Sequence, residues 1–335
     1  MNVLFTRPLT APRNVPLPGC FDVLADEAEL STEFQRNYPL GGKTEHLARL
    51  WLAYTLFRRR GRYAAVVTGR YGELLMLLQG MVPFLRRPSL LLDIEWYETY
   101  KTGWRIHLNR WLHRRIVAGA SRIQVFCHAE ATNYARYFGV DQKKFVWIPY
   151  CTDAGSELEP VTGDYILTSG VHQRDYPTLL AAVKDLPVEI RVVAPQEHFR
   201  SLAVPGNVKI LGRIPEAEYW RQLCAARLLV LALEKDVIRR PGVITYVGAM
   251  RLGKCVVVND NTGAASYIEH GKTGFLVPPA DPSALREQIR TLLASPELVE
   301  QTAAQARKAA AERFSAAAYY AAIQQALHGI GNALL

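Results

Sequence analysis

The chain has 335 residues, of which 49% are hydrophobic and 21% are charged. This length allows about two domains, and the composition supports a buried core in each, which excludes a disordered chain. The net charge is +9, and the whole excess lies in residues 1–150, which hold 21 Lys and Arg against 12 Asp and Glu, while residues 151–335 hold 19 of each. A basic first half favours an anionic partner, such as a phosphate group, an anionic lipid or a nucleic acid.

Two further features bear on the compartment. The five cysteines form no Cys-x-x-Cys pair, which indicates scattered thiols in a reducing compartment rather than a disulfide framework or a metal site. Residues 1–8 lack the apolar core of a signal peptide, and no stretch reaches the roughly 18 apolar residues of a spanning helix. The sequence therefore predicts a cytoplasmic protein with no metal site.

The first half alternates apolar runs of strand length with helical periodicity. Strands are predicted at residues 3–6, 21–24, 64–68, 89–94, 123–127 and 145–148. Helices are predicted at residues 44–60, 73–79, 104–112 and 130–138. This order is typical of a parallel sheet with helices on both faces.

The second half repeats the alternation after a linker rich in Gly and Pro at residues 151–163. Strands are predicted at residues 165–168, 190–194, 208–211, 228–233 and 255–258, and helices at residues 178–184, 218–225, 243–251 and from 281 onward. Two such α/β units imply a ligand cleft at the carboxyl ends of their strands. The sequence contains neither G-x-G-x-x-G nor G-x-x-x-x-G-K-[ST], which disfavours dinucleotide oxidoreductases and P-loop ATPases.

A candidate phosphate site precedes the helix predicted at residues 243–251. Arg239 and Arg240 are followed by Pro241 and Gly242, and Thr245 lies in the first turn. A helix N-terminus offers unpaired N–H groups and a positive partial charge to a diphosphate, and the arginines add charged donors. The alternative is a solvated basic loop that caps the helix.

Four stretches of the second half carry a family resemblance: residues 170–180 (GVHQRDYPTLL), 207–213 (NVKILGR), 248–258 (GAMRLGKCVVV) and 262–281 (TGAASYIEHGKTGFLVPPAD). Together they resemble the nucleotide-binding domain of the family four (group 1) glycosyltransferases. The resemblance implies the GT-B fold, with two Rossmann-like domains whose parallel sheets face each other across a cleft. Residues 1–155 would bind the acceptor and residues 156–335 the nucleotide sugar, and the last helix can pack back on the first domain.

The resemblance also implies donor-binding positions outside the Arg-Arg-Pro-Gly run. The loop after the first strand of the second half, with Gly170 and Arg174, would contact the diphosphate. Arg174 stands in for the usual Lys, and the alternative is an Arg paired with Asp175. Arg213 and Ile214 match a loop that holds the base through main-chain groups.

The clearest departure from the family concerns its Glu-(seven residues)-Glu pair. Aligning GAM with the family's EAM puts Arg240 and Gly248 at the two carboxylate positions. In the family these carboxylates hold hydroxyls of the donor sugar and of the ribose. Glu234 or Glu269 could replace them, or each could be a solvated surface acid.

In the first half, the strand predicted at residues 89–94 delivers Asp93 to its carboxyl end, and Glu95 follows two residues later. A carboxylate there can act as general base on an acceptor hydroxyl in an inverting transfer. The alternative is a loop acid that caps the next helix. We prefer Asp93 to Glu95.

The helix predicted from residue 104 combines Trp104, Leu108 and Trp111 with several arginines, and the run at residues 57–60 (FRRR) is a second basic-apolar edge. Basic helices with Trp at the boundary suit an anionic membrane surface. A helix packed on its own sheet with a solvated basic face explains the pattern equally well.

The leading hypothesis is a peripheral glycosyltransferase at the inner face of the membrane. It would transfer a sugar from a UDP- or GDP-linked donor, without a cofactor or metal, to a glycan or a polyprenyl-diphosphate-linked acceptor in polysaccharide or glycolipid synthesis. One rival is a catalytically inactive GT-B partner protein. A nucleic-acid binder is disfavoured because the aromatic–Gly stacking and zinc patterns are missing.

Overall fold

The computed structural model describes residues 2–9, 11–12, 16–37, 43–94, 104–152, 157–159, 161, 163–235, 241–260 and 263–331. The chain forms two compact units. The first unit comprises Met1–Val125, Ala131–Ile148 and Tyr319–Leu335, and the second comprises Phe126–Glu130 and Pro149–Ala318. The predicted boundary at residue 155 falls at residues 153–156, which lie outside the described residues.

The first unit is built on a six-stranded parallel sheet. Its strands are β1 (Val3–Arg7), β2 (Phe21–Asp26), β3 (Ala65–Thr68), β4 (Ser89–Leu91), β5 (Arg122–Val125) and β6 (Phe145–Trp147), in the order β2-β1-β3-β4-β5-β6. Its helices are α1 (Glu27–Asn37), α2 (Lys43–Arg59), α3 (Glu73–Met81), α4 (Trp104–Gly119) and most of α5 (His128–Phe138). The predicted alternation is confirmed, and α1 is an additional helix.

The core of the first unit follows from its sequence pattern. The residues of β3 and β4 are buried on both faces, as expected of central parallel strands with helices on each side. Two glycines bring α3 and α4 into close contact. A Cβ atom on Gly80 would lie 1.8 Å from the carbonyl oxygen of Arg115, and one on Gly119 would lie 1.9 Å from that of Met76. The basic helix α4 is therefore held against α3 by backbone-to-backbone packing.

The second unit repeats the design. Its strands are β7 (Tyr165–Ser169), β8 (Glu189–Val193), β9 (Val208–Ile210), β10 (Leu228–Leu231), β11 (Cys255–Asn259) and β12 (Phe275–Val277), in the order β12-β11-β10-β7-β8-β9, all parallel. Its helices are α6 (Tyr176–Val183), α7 (Glu216–Cys224), α8 (Val243–Arg251), α9 (Pro282–Ala294) and α10 (Pro296–Arg313). The predicted bounds of α8 are confirmed.

The closing helix α11 (Ala316–Gly331) joins the first unit from Tyr319 onward. The ring of Tyr320 lies 6.4 Å from that of Phe5 and 6.3 Å from that of Phe21, and its hydroxyl donates to the carbonyl of Pro12 at 2.9 Å. These contacts fix the helix on β1 and β2. No helix in the described part of the chain is both long and apolar enough to cross a membrane.

Candidate donor and acceptor sites

The loop after β7 is organised around Arg174. Its Nε donates to the carbonyl of Ser169 at 2.8 Å, and its Nη1 donates to that of His172 at 2.9 Å. Gly170 has a φ of +124°, and a Cβ atom there would lie 2.3 Å from Nη2 of Arg174. Only glycine permits both this backbone conformation and the close approach of the guanidinium. The loop thus holds a half-buried cation at the carboxyl edge of the sheet.

Asp175 caps helix α6, whereas the sequence left open an ion pair between Asp175 and Arg174. Its carboxylate accepts the N–H of Thr178 at 3.0 Å and caps α6, while its own N–H donates to the carbonyl of Ala232. Burial lowers the pKa of Arg174, and the neighbouring hydroxyls of Tyr176, Tyr219 and Tyr246 oppose that shift. A guanidinium stays charged in either case.

Helix α8 begins as the sequence predicts. Gly242 is its N-cap with a φ of +79°, and it has no side chain to occupy the N–H groups of the first turn. Thr245 is buried in that turn. Arg239 and Arg240 lie outside the described residues. The described part therefore supplies the helix terminus and the hydroxyl of the predicted phosphate site.

Tyr219 on α7 connects these two elements, and the sequence analysis did not single it out. Its hydroxyl lies 3.3 Å from Oγ of Ser169 and is hydrogen-bonded to Thr245. Burial raises the pKa of Tyr219, while the hydrogen bonds to Ser169 and Thr245 and the charge of Arg174 lower it. We call Ser169, Gly170, Arg174, Tyr219 and Thr245 the Tyr219 cluster. It brings together the end of β7 and the start of α8.

The predicted base-binding loop lies at the end of β9. Gly212 has a φ of +74°, and the neighbouring Arg213 is exposed, with Nη2 4.0 Å from Oε1 of Glu197. Ile214 is half-buried. No contact recorded among the described residues joins Arg213 or Ile214 to the Tyr219 cluster. Their role as main-chain contacts stays a prediction.

The position that aligns with the family's second glutamate, Gly248, is closely packed. A Cβ atom on Gly248 would lie 2.7 Å from the ring of Trp220, which is itself buried and donates its indole N–H to Glu216. The indole fills the space that a longer side chain at position 248 would need. A glutamate at this position would require the indole of Trp220 to move.

The two candidate replacement acids differ in their surroundings. Glu269 is exposed and pairs with Lys272 at 2.9 Å and Arg313 at 3.1 Å, and Lys272 is the main cause that lowers its pKa. Glu234 is also exposed, but its N–H donates to the carbonyl of Gln173, next to Arg174. Of the two, only Glu234 is tied to the loop of the Tyr219 cluster.

In the first unit, β4 ends at Leu91, two residues before Asp93, although the N–H of Leu92 still donates to the carbonyl of Thr68 on β3. Asp93 is buried, has a φ of +55°, and donates its N–H to Oε1 of Gln124 at 2.9 Å. Positive φ at a non-glycine residue is uncommon and is enriched at functional sites. Glu95 lies outside the described residues.

An apolar and basic surface lies on the first unit. Helices α2, α3 and α4 together line a cavity that includes Leu50, Leu77 and Leu112. Large apolar side chains on these helices and on the turn after α3 are exposed: Leu50, Trp51, Tyr54, Met81, Phe84, Trp104, Leu108 and Trp111. Arg58, Arg105 and Arg114 are exposed on α2 and α4. We call this set the aromatic-basic surface.

Comparison with solved structures establishes the class of the fold. The structure of Alr3699/HepE from Anabaena, described in complex with UDP, superposes with a TM-score of 0.65 at 17% identity, covering 98% of this chain and 100% of that one. Sucrose-phosphate synthase from Thermosynechococcus elongatus gives a TM-score of 0.64 at 16% identity, covering 99% and 89%. The fold is that of the GT-B glycosyltransferases, as the sequence predicted.

Comparison with sequences gives partial matches, all to glycosyltransferases. Residues 194–309 match the profile of the family described as glycosyl transferases group 1. The D-rhamnosyltransferase WbpZ of Pseudomonas aeruginosa is 30% identical over 142 residues, which is 42% of this chain. That match spans only 35% of the relative's own length. The predicted resemblance to the group 1 glycosyltransferases is confirmed, and the inactive alternative finds no support in these relatives.

The contact between Gly248 and Trp220 predicts the sign of the change in stability when Gly248 is replaced by Ala. In an open helix, Gly→Ala adds about 1 kcal/mol of stability, whereas overpacking a core costs about 1–3 kcal/mol. We therefore expect Gly248→Ala to lower the free energy of unfolding, measured by urea titration. In a Trp220→Leu background the same substitution should be neutral or stabilising. Stabilisation by Gly248→Ala alone would contradict this packing account.

Proposed function

We propose that this protein transfers a sugar from a nucleotide-diphosphate sugar to a hydroxyl group of a glycan or a lipid-linked acceptor. The observation that carries this proposal is the Tyr219 cluster, which joins a half-buried guanidinium to the N-terminus of α8, whose N-cap Gly242 has no side chain to cap it. Both features stabilise a diphosphate by charge and directed N–H groups. Two residues of the cluster, Tyr219 and Thr245, lie within residues 194–309, where the family match falls.

The diphosphate would lie between the loop of residues 170–174 and the first turn of α8. The hydrogen bonds of Arg174 to the carbonyls of Ser169 and His172 use two of its five N–H donors, and the other three would face phosphate oxygens. Arg239 and Arg240, just before α8, would add charge. These groups can neutralise the leaving diphosphate, so the proposal requires no metal ion.

The rest of the donor would extend from this point. Main-chain groups of Arg213 and Ile214 would hold the base, and either uracil or guanine fits that requirement. Glu234 is the acid best placed to bind hydroxyls of the sugar, because its backbone N–H donates a hydrogen bond to the carbonyl of Gln173, the residue before Arg174. The UDP described with the Anabaena structure supports a nucleoside diphosphate leaving group.

We assign the acceptor side to the first unit and the role of general base to Asp93. The acceptor oxygen would form a bond to the anomeric carbon of the donor as the bond to the diphosphate oxygen breaks, with its electron pair leaving on the diphosphate. The hydroxyl proton passes to the Asp93 carboxylate. Attack opposite the leaving group inverts the anomeric configuration, and Glu95 is the alternative base.

We further propose that the aromatic-basic surface rests on the cytoplasmic face of an anionic membrane. Trp104 is 69% exposed, Tyr54 is 60% exposed and Phe84 is 87% exposed, and arginines flank these side chains. Exposed aromatic residues beside basic ones match the energetics of the lipid interface. Such a location would bring a lipid-linked acceptor, for example a polyprenyl diphosphate carrier, to the first unit.

For the donor site, we expect Arg239→Ala/Arg240→Ala to weaken the binding of UDP or GDP at least about 10-fold. Hydrogen bonds to charged groups contribute about 1.5–3 kcal/mol each. Isothermal titration calorimetry measures the change. Arg213→Ala is the matched control, since only the main chain there is assigned a role, and its affinity should equal that of the wild type. Equal affinity in the wild type and the double variant would exclude this diphosphate site.

For the membrane, we expect flotation with phosphatidylglycerol vesicles but not with phosphatidylcholine vesicles, and release by added salt. Each basic residue near an anionic surface contributes about 1 kcal/mol. Trp104→Ser/Trp111→Ser and Arg105→Gln/Arg114→Gln should both reduce flotation. Arg307→Gln/Lys308→Gln removes two exposed charges from α10 in the second unit and should have no effect. Absence of binding at low salt would refute the proposal.

A further inference from the structure

The cavity between helices α2, α3 and α4 of the first unit has a volume of about 350 Å³. Sites for small ligands have volumes of roughly 300–1,000 Å³. Helices α3 and α4 meet backbone to backbone at Gly80 and Gly119, and the cavity lies mainly on the N-terminal side of this contact, beside Leu77 and Leu112. It is therefore a consequence of how the two helices pack. We call it the α2-α3-α4 cavity.

The lining of this cavity combines two kinds of side chain. The apolar part consists of aliphatic residues from all three helices: Leu50, Leu74, Leu77, Leu112 and Ile116. The polar part consists of residues that can donate or accept hydrogen bonds: His46, Arg49, Arg70, Glu73, Asn109 and His113. An apolar lining with a few convergent polar groups is typical of a small-molecule site.

The charged groups at the cavity balance each other. Nη2 of Arg49 lies 2.7 Å from Oε1 of Glu45, and Nη1 of Arg49 lies 3.9 Å from Oε2 of Glu73. Nη2 of Arg70 lies 3.5 Å from the same oxygen of Glu45. Two arginines are thus matched by two glutamates, and burial lowers the pKa of His113, which favours its neutral form. A phosphate group would require an excess of cations, so this balance favours an uncharged ligand.

Glu73 and Asn109 have hydrogen-bonding capacity left for a ligand. The 3.9 Å between Glu73 and Arg49 is too long for a hydrogen bond, and within the described part of the chain neither the Glu73 carboxylate nor the Asn109 side chain makes one. Burial raises the pKa of Glu73, and the charges of Arg49 and Arg70 oppose that shift. A half-buried carboxylate gains from a hydroxyl donor, and an amide can both donate and accept.

The polar end of the cavity lies at the carboxyl edge of the first sheet. Arg70 and Glu73 come directly after β3, which pairs with β4. Ligands of open parallel sheets bind at this edge, outside the ends of the strands. Four buried polar side chains lie at or just beyond the strand ends of the same edge: Thr6, Glu27, Thr68 and Asp93. A ligand in the cavity would therefore lie on the side of the sheet to which we assign the acceptor.

We propose that the α2-α3-α4 cavity binds an uncharged sugar unit of the acceptor, with hydroxyl groups bonded to Glu73 and Asn109 and C–H groups packed against Leu77 and Leu112. The inference rests on the proposed glycosyl transfer for the identification of this sugar as the acceptor. It narrows the acceptor to a glycan whose bound unit is neutral. An anionic carrier group would lie outside the cavity, beside the arginines of the aromatic-basic surface.

The test is a glycan array probed with the full chain, biotinylated and tetramerised on streptavidin. The array carries neutral oligosaccharides together with sialylated and sulfated ones, and saturating UDP and GDP keep glycans out of the donor site. We expect binding to a subset of the neutral glycans and none to the anionic ones. The Arg239→Ala/Arg240→Ala variant, which alters the donor site, should bind the same glycans as the wild type.

Isothermal titration calorimetry with a bound glycan then compares variants of the cavity. Leu77→Trp should abolish binding by filling the cavity. Glu73→Gln keeps the shape but removes the charged acceptor, and should weaken binding about 10-fold. Leu78→Trp is the matched control, since Leu78 is exposed on the same helix and does not line the cavity. Melting temperatures report folding, and Glu73→Gln alone decides if Leu77→Trp does not fold.

The outcomes separate this inference from the proposed function. If binding depends on the cavity but the wild type releases no UDP or GDP from any nucleotide sugar, the proposed function fails and the cavity remains a sugar site. If turnover is present but no neutral glycan binds, or if Glu73→Gln and Leu77→Trp bind like the wild type, the inference is overturned. Binding of decyl phosphate that Leu77→Trp removes would assign the cavity to a lipid phosphate and overturn it equally.

Discussion

The constraint on which both candidate sites depend is the need to satisfy backbone groups just beyond the ends of parallel strands. Within a strand the neighbouring strand supplies the hydrogen bonds, but backbone groups that lie beyond the paired segment need other partners. In each unit a buried amide side chain provides them. Asn259 exchanges two hydrogen bonds with the backbone of Leu233, at 2.6 and 2.7 Å, and Gln124 connects Asp93 to Ile148. An amide donates and accepts at once, so it holds a loop in one position.

The carboxyl edges of the two sheets carry different chemical groups. In the second unit the edge carries a cation, hydroxyls and a helix N-terminus, which together suit a diphosphate. In the first unit it carries two carboxyl groups and two threonine hydroxyls, which suit a proton acceptor. Trp220 packs where the family's second glutamate would stand, so a donor hydroxyl held by that carboxylate in the family would need another partner here.

The fold was largely predictable from sequence because the apolar runs of parallel strands and the amphipathic helices are strong local signals. The bounds of α8 follow from Pro241 and Gly242 at its start. Helix α1 was missed because Leu30 is its one buried apolar residue. Asp93 was predicted from its position after an apolar run, yet the strand stops earlier, at Leu91.

The candidate site was less predictable because its organisation depends on contacts between residues far apart in sequence. Tyr219 stands on α7 as an ordinary helical residue, and its hydroxyl meets Ser169, 50 positions away. From the sequence alone, Glu27 would be taken for a surface acid at the start of a helix. The structure shows that its side chain is buried against Gly69. In the sequence, Gly248 stands at the position of a family carboxylate, and only the structure shows that the indole of Trp220 packs against it. No local pattern encodes these three contacts.

We propose that sugar transfer by this chain uses Asp93 as a base and proceeds by direct attack on the donor. The anomeric configuration of the product tests it most directly. Proton NMR of the glycoside formed from a donor of known anomeric configuration reports that outcome through the coupling constant of the anomeric proton. We expect a product of inverted configuration. A product that retains the donor's configuration would contradict it, whichever carboxylate is responsible.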